Sequence, residues 1–152
     1  MKKFIVTGGL GFIGSNLIEI LLKKNFQVIN LDKITYSSNF YNVKEFQKSK
    51  NYKFIKCDIG AKKLRKIFFK YKPDGIFNLA AETHVDRSID DPKNFIQSNI
   101  VGTYNLLECF KEYSKKFKSK LIHISTDEVY GDILNGRSSE NYPYKPSSPY
   151  AA

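Results

Sequence analysis

Apolar residues recur along the chain in two rhythms. Short runs at 3–7, 26–31, 52–56, 75–79 and 120–125 have the length and the Ile, Val and Phe content of buried strands. Between them the spacing turns helical. Residues 16–24 carry Leu17, Ile18, Leu21 and Leu22 as an inward stripe that Asn25 ends, and a second helix is predicted over 61–71, broken by Pro73-Asp74. The longest helix is predicted over 95–117, with Ile96, Ile100, Leu106, Leu107 and Phe110 facing inward. Residues 35–50 read as a surface connection with a short helix near 42–47, residues 86–94 as a charged loop, and residues 132–149 as turns rich in Pro, Ser, Asn and Tyr.

Five strands alternating with helices predict an α/β fold, a Rossmann-type doubly wound parallel sheet with helices on both faces. Ligands of such sheets lie outside the carboxyl ends of the strands, so residues at those ends are the candidates for chemistry.

The first strand end is the most informative. Val6-Thr7-Gly8-Gly9-Leu10-Gly11-Phe12-Ile13-Gly14 runs from strand through a glycine-spaced turn into a helix. Gly8 suits a backbone closed to other residues, Gly11 lets a pyrophosphate approach, and Gly14 lets the helix lie close to the sheet. Free N–H groups at the helix start would face the anion. The second strand ends in Asp32, 18 residues beyond Gly14, where a carboxylate bonds ribose hydroxyls and repels a 2′-phosphate. NAD is favoured over NADP.

At the third strand end, Asp58 and Ile59 suit contact with an adenine ring, or Asp58 caps the next helix. The small residues Ala80 and Ala81 after the fourth strand let a cofactor pass, and His84 follows within reach of a substrate. His123, within the fifth strand, reads as a packed side chain. Thr126-Asp127-Glu128 then sets a hydroxyl and two carboxylates at that strand's mouth. Adjacent carboxylates at a cleft can divide acid and base roles, as an elimination requires, whereas in isolation the same residues would cap a helix or form a solvated turn. Tyr150 is a candidate base, though a phenol near pKa 10 needs a neighbouring cation.

Composition narrows the picture. The 152 residues suffice for one domain with a core, and no apolar run approaches a membrane span or a signal-peptide core, which makes the cytoplasm the default location. Cys57 and Cys109 form no ligand pattern and read as reduced, partly buried thiols, with no metal expected. The net charge is +10, yet only Arg65, Arg87 and Arg137 among 25 basic residues are arginines, and the lysines are scattered. This favours solvated faces over a nucleic-acid surface.

The motifs together resemble the dTDP-glucose 4,6-dehydratases, a family of extended short-chain dehydrogenase/reductases. The resemblance rests on residues 6–14, Asp32-Lys33-Ile34-Thr35-Tyr36, residues 79–88, Asn99-Ile100-Val101-Gly102-Thr103, residues 125–131 and Pro146-Ser147-Ser148-Pro149-Tyr150. Thr126-Asp127-Glu128-Val129-Tyr130-Gly131 discriminates most, because related epimerases usually lack the Asp-Glu pair. The resemblance implies NAD contacts at Phe12, Ile13, Asp32, Lys33, Thr35, Asp58, Ile59, Leu79, Ala80, Ala81 and Ser98, which join Gly8, Gly11 and Gly14 of the turn and Tyr150 as the expected cofactor site. It implies substrate contacts at Thr83 and Thr126, with Thr83 replacing a common serine, and His84 is added to them from its place at a strand end.

In that family Tyr150 would take the O4 proton while hydride leaves C4, Glu128 would remove the C5 proton, and Asp127 would protonate the departing C6 hydroxyl. The product implied is a dTDP-4-keto-6-deoxy sugar, with NAD regenerated in each turnover. The resemblance covers the whole chain but about the first half of such an enzyme. Residues 1–131 are expected to form a partial NAD-binding domain and 132–152 a loop leading into the Tyr-x-x-x-Lys helix, whose lysine, with the last strands and the substrate domain, lies beyond Ala152. The family's homodimer uses the long helix. The alternatives are an inactive NAD-binding module or half of a split enzyme.

Overall fold

The computed structural model describes all residues, Met1–Ala152. Its strands are β1 (Lys3–Thr7), β2 (Gln27–Asp32), β3 (Tyr52–Lys56), β4 (Gly75–Asn78) and β5 (Lys120–His123). They form one parallel sheet in the order β3-β2-β1-β4-β5. The chain builds outward from β1 through β2 and β3, then returns to the other side of β1 for β4 and β5. That reversal opens a crevice between the carboxyl ends of β1 and β4.

Adjacent residues of β1 serve opposite layers, as a period of two requires. Ile5 joins a core with Ile29, Leu31, Leu64, Phe68, Leu106 and Tyr113, under α2 (Lys63–Tyr71) and the later helices. Val6 joins a smaller core with Ile18, Leu21 and Val28 under α1 (Phe12–Lys23). Both Ile5 and Val6 are fully buried, which explains why β1 is continuously apolar instead of alternating. The Rossmann-type reading is therefore the observed architecture.

Local punctuation follows from side-chain chemistry. Asn25 and Lys72 take left-handed backbone angles (φ 58° and 48°) just past α1 and α2, the conformation that closes helix ends. The predicted helix near 42–47 is instead a 3-10 turn at Phe40–Val43, started by Asn39, whose side chain accepts from the Tyr41 N–H.

Two expectations for the third quarter of the chain are corrected. Residues 86–94 are not a loop: α3 (Val85–Asp90) forms there, with Asp86 in its first turn, where a carboxylate favours the helix dipole. The long helix is not uniform. A short α4 (Lys93–Phe95) passes into a π-helical segment, Ile96–Gly102, and then α5 (Thr103–Ser114). The wider winding rotates the face that meets the sheet. Ile96, Ile100 and Leu107 are exposed, while Phe95, Ser98, Gly102, Leu106, Cys109 and Tyr113 face inward.

Strand β5 is an edge strand, and its Ile122 and the Ile124 that follows it are about half exposed (48% and 44%). Residues 132–152 contain turns but no helix or strand. No helix is long and apolar enough to cross a membrane.

Candidate functional site

The carboxyl ends of β1, β2, β4 and β5 surround a cleft of about 620 Å³. Its floor is the glycine turn. Gly8 has φ +68°, and a Cβ there would lie 2.8 Å from the Leu79 carbonyl oxygen, so the position admits no side chain. A Cβ on Gly14 would come within 2.4 Å of the Gly8 carbonyl oxygen, which is how α1 gets so near the turn.

Helix α1 begins at an uncapped end. Gly11 supplies no side-chain cap, and the N–H groups of Phe12, Ile13 and Gly14 make no hydrogen bond within the protein. All three residues line the cleft. Three unpaired donors at the positive end of a helix, in a cradle that a Cβ would fill, fit a diphosphate. The structure thus satisfies the donor chemistry that a dinucleotide requires.

Asp32 lies 22 residues from Leu10 and closes the turn on its other side. Its Oδ2 accepts from the Leu10 N–H at 3.0 Å, and its Oδ1 from the Ile34 N–H and the Ser38 hydroxyl, each at 2.8 Å. Ile34 follows at φ 64°, a left-handed conformation that a β-branched residue seldom takes, held by that bond to Asp32.

A polar chain crosses the sheet toward the other end of the cleft. The Leu79 and Ala80 N–H groups donate to Thr7 Oγ1 at 3.2 and 3.1 Å, and the Thr7 hydroxyl donates to Asn78 Oδ1 at 2.6 Å. Asn78 therefore points its amide nitrogen at His123 Nδ1, 2.8 Å away. With a donor facing it, Nδ1 is the acceptor and Nε2 carries the proton, a tautomer assigned from this network. His123 is consequently not a packed strand residue. It stands exposed at the end of β5 and lines the cleft.

Lys33, Thr35, Asp58, Ile59, Leu79, Ala80, Ala81, Ser98, Thr83, Thr126 and Tyr150 line the same cleft as Gly8, Gly11, Phe12, Ile13, Gly14 and Asp32. Asp58 is no helix cap: its Oδ1 accepts from the Gly60 N–H at 2.7 Å in a local turn, and α2 starts later without a side-chain cap. Cys57 also reaches the wall; burial pushes its thiol and that of Cys109 above the ordinary range.

Three expected site residues fall outside the wall. His84 is exposed and stands at the start of α3. Asp127 and Glu128 are exposed in a 3-10 turn, Asp127–Tyr130, while Thr126 and Val129 on either side of them line the cleft. The reason is local. The Thr126 hydroxyl accepts from the Glu128 N–H at 3.2 Å, and the tight turn it caps carries both carboxylates toward solvent at the cleft mouth.

The structure also adds residues that carry no role in the sequence reading. Asn99 exchanges two 2.9 Å hydrogen bonds with the main chain of Glu82, and Glu82, 7% exposed, meets Lys33 Nζ at 2.7 Å. The available signal was a carboxylate set among small and apolar residues after β4.

Comparison with known proteins follows this geometry. A family model described as GDP-mannose 4,6 dehydratase matches residues 5–152. The chain belongs to this family. It is 47% identical to a dTDP-glucose 4,6-dehydratase of Haemophilus influenzae, over 100% of this chain and 48% of that protein. A crystal structure of dTDP-glucose 4,6-dehydratase from Bacillus anthracis in complex with NAD matches at a TM-score of 0.86 and 39% identity, covering 99% of this chain and 46% of that one. The Streptomyces venezuelae enzyme with NAD and TYD bound matches at 0.90 and 37%, covering 98% and 47%. The chain thus spans about half the length of the curated relatives it matches.

Proposed function

We propose that this chain is the NAD-binding portion of a dTDP-glucose 4,6-dehydratase. The observation that carries the reading is the set of three free amides at the start of α1, opposite Asp32, in a cleft that ends at Thr126 and Tyr150. The relatives named above, two of them crystallised with NAD, support it.

Bound there, NAD supplies a reversible hydride acceptor. The amides of Phe12, Ile13 and Gly14 hold its diphosphate, Asp32, Lys33 and Thr35 its adenosine ribose, and Asp58 and Ile59 its adenine. Leu79, Ala80, Ala81 and Ser98 flank the remainder. Thr83 and Thr126 hold the nucleotide sugar, with His84 at the margin. Tyr150 holds the O4 proton as C4 is oxidised. Glu128 takes the C5 proton and Asp127 protonates the C6 hydroxyl as water departs; both act on a sugar lying at the cleft mouth, since neither forms its wall. Return to C6 of the hydride taken from C4 would give dTDP-4-keto-6-deoxyglucose.

Residues 1–131 form the partial dinucleotide-binding domain in this reading, and 132–152 the loop leading into the Tyr-x-x-x-Lys helix that Tyr150 begins. Ile96, Tyr104 and Leu107, all exposed along the long helix, support homodimer formation through it. The cellular location proposed is the cytoplasm.

One observation favours a second reading for the chain by itself. Asp127 and Glu128 stand exposed off the cleft wall, as in an NAD-binding module without turnover or half of a split enzyme. Incubation with NAD and dTDP-glucose, followed by NMR for the 4-keto product, separates the two. We expect NAD binding without turnover from 152 residues, and turnover once the chain is extended to the length of its relatives. In the extended enzyme Glu128→Gln should stop deuterium entry at C5. An extended enzyme that leaves dTDP-glucose unchanged overturns the dehydratase reading.

A further inference from the structure

Beside the Asp32 end of the cleft lies a side chamber of about 480 Å³ that shares Lys33, Thr35 and Asp58 with it and adds Lys56 and Lys63. Three lysines line this chamber, the chemistry an extra phosphate favours, although the Lys63 ammonium donates to the Lys56 carbonyl and Asp58 stands on the same wall. Asp32 opposes such a phosphate, since the three hydrogen bonds its oxygens accept come from neutral donors and fix the carboxylate without removing its charge. Lys33 is the cation adjacent to it in sequence, and Lys33 is not free. Its Nζ lies 2.7 Å from Glu82 Oε1 and donates to Ser98 Oγ at 2.6 Å. Glu82 is buried, and the two bonds from Asn99 fix its main chain, so its carboxylate stays in place.

We propose that Glu82 is a positioning residue for cofactor choice: by holding the Lys33 ammonium in a partly buried ion pair against Ser98, it withholds that charge from a 2′-phosphate and tilts the site toward NAD over NADP. The proposal rests on the NAD-binding reading above. It places discrimination in the turn after β4, on the far side of Lys33 from Asp32.

The test is calorimetric titration of the 152-residue chain with NAD and with NADP. The unaltered chain should prefer NAD. Glu82→Gln frees Lys33 and should shift the NADP-to-NAD affinity ratio toward NADP by about tenfold, the scale of one partly screened charge near a surface. Adding Lys33→Met to Glu82→Gln should abolish the gain in that ratio, alongside whatever loss of the Lys33 contact costs both dinucleotides. Should Glu82→Gln fail to fold, as judged by its circular dichroism, Glu82→Asp withdraws the carboxylate by one methylene and should move the ratio in the same direction. A ratio unchanged in the folded variant, or a gain that survives loss of Lys33, overturns the role of Glu82 and leaves NAD binding intact. An unaltered chain that binds neither dinucleotide overturns the cofactor reading and this proposal together.

Discussion

The main-chain N–H of Tyr150 donates to Oγ of Ser88, 3.2 Å away and 62 residues earlier in the chain. Ser88 is fully buried in α3, and its hydroxyl proton is already committed to the Val85 carbonyl at 2.6 Å. Its lone pairs are thus turned toward Tyr150. The neighbouring Ala151 is 4% exposed, with its N–H on Ser148 Oγ. One serine on a helix that forms where a loop was expected therefore fastens Tyr150 into the cleft wall.

Ser88→Ala should release that anchor. We expect a loss of about 1 kcal/mol in urea denaturation, the net value of a hydrogen bond to a buried partner. Amide exchange at Tyr150 and Ala151 should quicken, while the amides of β1 keep their protection. Equal protection at Tyr150 in both proteins would show that the contact anchors nothing.

Gly14→Ala should abolish dinucleotide binding. The added methyl would sit 2.4 Å from the Gly8 carbonyl oxygen, and since that atom is backbone, α1 must tilt away from the turn. Overpacking of this kind costs about 1–3 kcal/mol. Thermal melts combined with NAD titration check both effects; a variant that binds NAD as before would remove the close helix approach from the site's requirements.

Ile34→Asn should stabilise the chain. Ile34 is held at φ 64°, where asparagine is far more at ease than a β-branched residue, and at 38% exposure it has little buried surface to lose. The expected gain is about 1 kcal/mol in the denaturation midpoint analysis. A loss would mean that the isoleucine side chain contributes more by packing than its backbone costs.

The exposed Arg65–Glu112 pair predicts a pH dependence. Hydrogen bonding to the Arg65 guanidinium, at 2.6 Å from its Nε, draws the Glu112 carboxyl below the usual carboxylate range and raises Arg65 in turn. A carboxyl lowered on folding favours the folded state above its unfolded pKa, and the advantage fades as pH falls through the folded value. Glu112→Gln should therefore melt below the unaltered protein at pH 7, with the gap narrowing as the pH falls below the usual carboxylate range. A gap that persists in acid would assign the effect to packing of the side chain.

Much of the architecture was legible because it is written in short-range patterns. The runs at 3–7 and 52–56 coincide with β1 and β3: in central β1 burial on both faces leaves Phe4, Ile5 and Val6 as an unbroken apolar signal, while β3 at the sheet edge keeps Phe54 and Ile55 between exposed Lys53 and Lys56. The glycine spacing from Gly8 to Gly14 and the acid at Asp32 were readable for the same reason: each answers to backbone sterics or charge within one turn. The face of the long helix was not. Ile96 and Ile100 look like core by spacing, yet the π-helical segment turns them outward and brings Ser98 and Gly102 in. Periodicity assumes a constant winding, and that assumption fails here.

By itself, then, the sequence determined the alternation of strands and helices, the cradle at the start of α1 and the residues available for chemistry, all consequences of local propensity and of one face being apolar. Only the tertiary structure decided which of those residues share a cleft. It set His123 against Asn78, locked Lys33 to Glu82, and left Asp127 and Glu128 in solvent beyond Thr126. Those pairings join segments 45 and 49 residues apart, through side-chain donors and acceptors that find partners only after the sheet has ordered its strands.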